Sequence, residues 1–188
     1  MTGILQAAAA ATRREQALLA QRTGYAPEVL VLPDKLGAVA AAISVFAASA
    51  IPYALIGGLA VGMHSGVPRA TLDVDFAIPT SVDRAFIAGL FAQRGFRLTG
   101  EFAHSLNFEH ESGEPVQLAF DALFDPMIQR AELLRSGDVE LRVVTKDDLI
   151  SMKRRAAADP ARRRSKALRD QADVALLEGD VPGSNEGW

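Results

Sequence analysis

The chain contains no cysteine, which excludes a disulfide framework and any zinc–thiolate site and fits a reducing cytoplasm. Histidine is scarce: His64 reads as a loop or helix-end residue, and His104 and His110 have no partners at metal-binding spacing, so a zinc site is not expected. Neither sign of charge prevails: 20 Lys and Arg against 23 Asp and Glu leave a net charge of -3, which argues against wholesale nucleic-acid binding. Long apolar runs are missing too. The alanine-rich stretch Ala7 to Ala11 runs into Arg13, Arg14 and Glu15, and Ala38 to Ala50 is too short and weakly apolar to span a bilayer. Both read as soluble helices, with no membrane partner expected. Internal repeats and low-complexity linkers are also lacking. A chain of 188 residues then reads as a single domain able to bury a core of its own.

What is present is concentrated near the middle. Asp73 and Asp75 sit one residue apart in the apolar run Thr71 to Ile78. Strand side chains alternate faces, so Leu72, Val74, Phe76 and Ile78 are expected to bury while the two acids emerge together. Two carboxylates on one face repel, and a divalent cation relieves them, because hard oxygen ligands can share a magnesium ion and the phosphates it carries. Upstream, Gly57-Gly58 supplies backbone N–H groups that no Cβ shields from phosphate oxygens. Taken singly, the acids could be a solvated sheet edge and the diglycine a turn. Together they point to metal-assisted phosphoryl or nucleotidyl transfer.

The surrounding pattern alternates helix and strand signals. A helix over the first twenty-odd residues carries Leu5, Leu18 and Leu19 and ends before Thr23-Gly24. A second starts at Pro33 with Leu36, Val39, Ile43 and Phe46 as its buried stripe. Tyr53 to Ile56 reads as a strand, Leu59 to Ser65 as a short helix and Thr71 to Ile78 as the acid-bearing strand. Ser81 is the expected N-cap of a helix through Arg94 that carries Phe86, Ile87, Leu90 and Phe91 and is stopped by Gly95. Phe96 to Thr99, Ser105 to His110 and Val116 to Asp121 read as strands, the last two as a hairpin joined through Glu111 to Glu114. Pro126 to Leu134 reads as helix and Val139 to Val144 as strand. Thr145 with Asp148 opens a helix over Lys146 to about Ala158, and Asp159-Pro160 ends it and caps a last helix to about Leu177. The expectation is an α+β chain with a mixed sheet: helices over 1–50, a catalytic sheet region over 51–144, helices over 145–178 and a flexible tail over 179–188.

Strand, diglycine, helix and Asp-x-Asp strand, with fourteen residues between Gly58 and Asp73, occur in an order that resembles the nucleotidyltransferase superfamily that includes DNA polymerase beta. The C-terminal third, Thr145 to Ala156 with its Asp148-Leu149-Ile150-Ser151-Met152-Lys153 and then Arg169-Asp170-Gln171-Ala172-Asp173, resembles AbiEii-type nucleotidyltransferase toxins, among them MenT-like proteins. The resemblance covers roughly Tyr53 to Leu177. It implies transfer of NMP from an NTP to an acceptor hydroxyl with magnesium as cofactor. In that scheme Asp73 and Asp75 hold metal, Gly57 and Gly58 form the phosphate-side loop, Lys153 binds the triphosphate, and Asp170 or Asp173 orients Lys153 or acts near the attacking hydroxyl. Arg69, in Arg69-Ala70-Thr71-Leu72-Asp73-Val74-Asp75, braces the acids or contacts phosphate, and Thr71 supports the turn. The implied partners are the 3′ end of tRNA as acceptor and a cognate antitoxin.

A third carboxylate is the open point. Gln117, Ala119 and Asp121 share a strand face, so Asp121 is a candidate general base and metal ligand, or else a residue of the following turn. If Gln117 occupies the equivalent position, the third acid is lost, because an amide cannot act as a base. Further alternatives stay open on the residues alone. Lys166 with Asp170, and Arg169 with Asp173, are spaced as helix-surface pairs. The run of Arg154, Arg155, Arg162, Arg163, Arg164, Lys166 and Arg169 suits a polyanion or is a solvated face. The acceptor could be a small molecule or protein, or the fold could have lost catalysis and serve binding only.

Overall fold

A computed structural model describes residues 3–23, 34–137 and 139–181. The expected stop at Gly24, the helix start at Pro33 and the tail beyond Val181 lie outside these residues, as do the side chains of Leu18 and Leu19. Among the described residues the architecture is α+β: a seven-stranded mixed sheet of order β3-β4-β5-β2-β1-β7-β6 with seven helices around it. In chain order the elements are α1 (Ile4–Thr23), α2 (Lys35–Ala48), β1 (Ala54–Ile56), α3 (Gly57–Ser65), β2 (Val74–Ala77), α4 (Arg84–Ala92), β3 (Phe96–Phe102), β4 (Ser105–His110), β5 (Pro115–Ala119), α5 (Phe124–Arg130), β6 (Glu132–Ser136), β7 (Val139–Val143), α6 (Lys146–Ala158) and α7 (Arg164–Glu178). No described helix is long and apolar enough to cross a membrane.

The two sheet faces do different work. Val74, Phe76, Val116, Leu118, Leu106 and Phe108 are all buried on one side. There Phe46 of α2 meets Phe76 at 5.2 Å and Phe91 of α4 meets Phe108 at 5.0 Å between ring centroids. Interlocked aromatic rings of this kind supply much of a core's burial energy. On the opposite face α3 lies over β1 and β2, with α6 and α7 packed on α3. Because β2 is so short and flanked on both sides, its register is well fixed: Asp75 stands beside Ile56 of β1 and Gln117 of β5.

Several expectations are corrected. The acid-bearing strand starts at Val74, so Asp73 lies on the bend before it, and Leu72, expected inside, is 65 % exposed. The stripe of α2 is Lys35, Ala38, Val39, Ala42, Val45 and Phe46, rotated from the expected one so that Leu36 and Ile43 are only partly buried. Asp83, not Ser81, caps α4 by accepting from the Phe86 N–H at 2.6 Å, and Phe86 points outward. The reason is upstream: Thr80 is pinned by Asp125 through its N–H at 2.9 Å and its hydroxyl at 2.6 Å, which holds the chain in a turn two residues longer. Glu132 to Leu134 are strand and not helix, because pairing with β7 overrides local helix propensity. Asp159 caps the end of α6, and α7 begins only at Arg164.

Candidate active site

The site is assembled where β1 hands over to α3 and β2 passes beside it. Gly57 and Gly58 are the first residues of α3, two residues earlier than the helix expected from Leu59. Gly57 has φ +71, and a Cβ there would run into the Asp75 carboxylate. At Gly58 a Cβ would stand 2.7 Å from a nitrogen of Arg69 and 2.9 Å from Thr71. Only glycine fits either position. The preceding residue, Ile56, offers no side-chain cap, so the first amides of α3 are left to an incoming acceptor, a setting that favours anions.

Facing these amides is a cleft of about 140 Å3 lined by Gly57, Gly58, Arg69, Thr71, Asp73, Asp75, Lys153, Arg162, Lys166, Arg169 and Asp170. Thr71 supports the bend as expected, donating to Asp73 Oδ1 at 3.1 Å. Asp75 is pushed up to about 7, first by burial and then by the charge of Asp73, while Lys153, Lys35 and Arg69 pull it back. Two carboxylates crowded in this way, with hard oxygens lining a cleft, have donors of the kind that fit a divalent cation. No group of three or more His, Cys, Asp or Glu poised for a metal occurs among the described residues. Five cationic side chains against three acidic ones line the cleft, so a polyphosphate can enter despite the acid pair.

Lys153 is held between α6 and α7. Its ammonium lies 3.1 Å from Asp170 Oδ1 and 2.8 Å from Asp173 Oδ2. Asp170 also accepts from Arg162 at 2.6 Å, and Asp173 pairs with Arg69. Both acids are nearly inaccessible, at 3 % and 1 %, so the charges are desolvated and each depends on its partners. Asp170 and Asp173 therefore face inward to Lys153 and are not helix-surface partners of Lys166 and Arg169, which make no ion pair among the described residues. Arg69 braces Asp173 and not the acid pair. Arg162 stood in the sequence only as one of a basic run; its bond to Asp170 was not expected, because it follows the Asp159-Pro160 break, where no periodicity marks an inward residue. Lys35, buried and paired with Glu114, also escaped notice, although the phase of α2 could have flagged it. Burial pushes the Glu114 carboxyl up, and Lys35 partly offsets that.

Asp121 is not brought to this cluster. β5 ends at Ala119, and Asp121 accepts from the Leu123 N–H at 2.9 Å in the following turn. Four residues of extended chain, about 13 Å, separate it from Gln117, the residue in register with Asp75. Gln117 thus takes the position at which a third carboxylate was sought. A larger groove of about 660 Å3 between α5 and α6 is lined mainly by apolar side chains such as Leu123, Phe124, Met127 and Met152 and lies apart from the acids.

The fold so built is that of the nucleotidyltransferases. No protein-family model matches the chain, and no curated protein matches it, but solved structures do. The chain is similar to the antibiotic-resistance factor ANT(2")-Ia in complex with adenylyl-2"-tobramycin (17 % identity, TM-score 0.54, 76 % of this chain and 88 % of that one). It is similar to the lincosamide antibiotic adenylyltransferase LnuA with lincomycin bound (13 %, 0.57, 79 % and 99 %). An antigenic nucleotidyltransferase-like protein from Paracoccidioides brasiliensis is a third neighbour (21 %, 0.52, 78 % and 78 %).

Proposed function

We propose that this protein is a magnesium-dependent nucleotidyltransferase that moves NMP from an NTP to an acceptor hydroxyl. The observation that carries the reading is the Asp73–Asp75 pair set directly against the glycine-opened amides of α3, with Lys153 on the cleft's other wall. Asp73 and Asp75 hold the metal, which when bound neutralises phosphate charge and polarises the α-phosphorus. The α3 amides and Lys153 cradle the triphosphate, and Asp170 and Asp173 hold the Lys153 ammonium in position. The acceptor oxygen bonds to the α-phosphorus as the bond to the pyrophosphate oxygen breaks. Pyrophosphate leaves with that electron pair. The hydroxyl proton departs to water, since Gln117 beside Asp75 cannot take it up.

The motifs of α6 and α7 support the AbiEii-type toxin reading, in which the acceptor is the 3′ end of tRNA and a cognate antitoxin restrains the enzyme; Lys166 and Arg169 are placed to meet a polyanion. The neighbours that hold tobramycin and lincomycin support a small-molecule acceptor instead. Cytoplasmic location accords with the cysteine-free sequence under either reading. Incubating the purified chain with each α-labelled NTP, magnesium, and either total tRNA or an antibiotic panel separates them by what becomes labelled. Asp73→Ala and Asp75→Ala are expected to lower kcat on the order of a thousandfold. Wild type and both variants binding NTP equally, with or without magnesium, would mean that the Gln117-bearing fold serves binding alone.

A further inference from the structure

The face of the sheet that carries Asp75 continues beyond it. Register places Asp75, Gln117, Asn107 and Gly100 in one row across β2, β5, β4 and β3, with Ala77, Ala119, Ser105 and Phe102 in the row alongside. Paired residues share a face, and strands lie about 4.8 Å apart, so the row runs about 14 Å outward from the acids. Gln117, Asn107, Ser105, Ala119 and Gly100 are half-buried, and Phe102 is 58 % exposed. The Phe102 ring leans over Gly100, where a Cβ would meet it at 2.8 Å. The strip therefore has a small-residue floor, two amides in its middle and an aromatic plate at its far end.

Its chemistry differs from that of the cleft. Gln117 Nε2 donates to Asn107 Oδ1 at 3.1 Å, which fixes both amides and leaves the Gln117 oxygen and the Asn107 NH2 to a ligand. Both cations at its border are engaged: Arg97 is paired with Glu109 at 2.8 Å, and Arg84 donates to the main-chain carbonyls of Phe102 at 2.7 Å and Ser105 at 2.8 Å. Arg69, Lys153, Arg162, Lys166 and Arg169 all line the cleft instead. A polyanion finds no counter-charge on the strip, whereas a hydroxylated ring finds donors, acceptors and a flat apolar surface.

Resting on the nucleotidyl-transfer reading, we propose that this strip is the acceptor site and that the acceptor is a small, uncharged or cationic, hydroxylated ring compound of the glycoside class. One ring edge lies on the Gln117–Asn107 amides and an apolar ring face lies on Phe102. The nucleophilic hydroxyl is thereby presented at Asp75, opposite the triphosphate, and the products are the nucleotidylated glycoside and pyrophosphate.

The test uses the full chain labelled with nitrogen-15, and sucrose, lincomycin and tobramycin as probes. At least one probe is expected to shift the side-chain amide signals of Asn107 and Gln117, and to become labelled with NTP and magnesium. In Phe102→Ala its KM should rise about fivefold to tenfold, the loss of one aromatic contact, with kcat and the NTP KM unchanged. Asn107→Ser should raise the same KM without touching the NTP KM. No shift at either amide with any probe, while magnesium and the four NTPs still move Gly57 and Gly58, overturns this proposal alone. A labelled probe whose KM ignores both substitutions, or labelled tRNA with the amides unmoved, overturns it as well. Failure of the NTPs to move Gly57 and Gly58 overturns the underlying reading.

Discussion

At the scale of single residues, the site depends on groups that have no substitute. Gly57 holds φ +71 with the Asp75 carboxylate against its Cα. Alanine there incurs about 1–2 kcal/mol for the left-handed backbone and must also displace Asp75. Gly57→Ala is therefore expected to unfold at lower denaturant and to raise the NTP KM more than tenfold; an unchanged KM would mean that nucleotide does not approach this turn. Asp173 is a different kind of dependence. Buried, and shared by Lys153 and Arg69, it cannot be neutralised without leaving two cations short of a partner. Asp173→Asn should cost about 3 kcal/mol in urea denaturation, far above the loss of an exposed pair such as Arg97–Glu109. A cost near that of Arg97→Ala would show that the network is not desolvated in solution.

At the scale of elements, a helix end follows from local chemistry where one residue alone is placed to cap it. Thr145 accepts from the Asp148 N–H at 3.2 Å, and α6 runs over Lys146–Ala158 as the sequence suggests. Thr145→Ala should lower stability by about 1 kcal/mol and, because Lys153 lies two turns on, leave the NTP KM within a factor of two. A large KM change would tie the cap to the site. The acid pair and the diglycine were legible because their residue types and spacing announce themselves, whereas Lys153 came only with the resemblance that its motif carries. Gln117 beside Asp75 was not, since which of Gln117 and Asp121 meets β2 is a matter of register between strands more than forty residues apart in the chain. β6 was hidden for a related reason: Glu132-Leu133-Leu134 favours helix locally and becomes strand only by pairing with β7. The rotated phase of α2 likewise answers to the buried Lys35–Glu114 pair, a contact between distant segments.

At the scale of the whole molecule, the acid pair sets a link between pH, metal and stability. The Asp75 carboxyl moves from 3.8 to about 7 on folding. The folded protein therefore keeps a proton that the unfolded chain releases, and the sign follows: the contribution of Asp75 to stability is fully present below about pH 4 and is lost as pH rises to about 7, levelling above that. Three units correspond to at most about 4 kcal/mol, and Glu114, also raised, adds to the fall in the same direction. Magnesium bound by Asp73 and Asp75 removes the repulsion that a proton otherwise relieves, so its stabilising effect should be larger at pH 8 than at pH 5.5. Asp75→Asn has no charge to titrate; metal-free, it should be less sensitive to pH than the wild type between 5 and 8, and magnesium should barely move its Tm. Thermal unfolding of both proteins at the two pH values, with and without magnesium, measures all four terms at once. Parallel pH curves for wild type and Asp75→Asn would show that the carboxylate is solvated and unopposed, and that the cleft has no call for a cation.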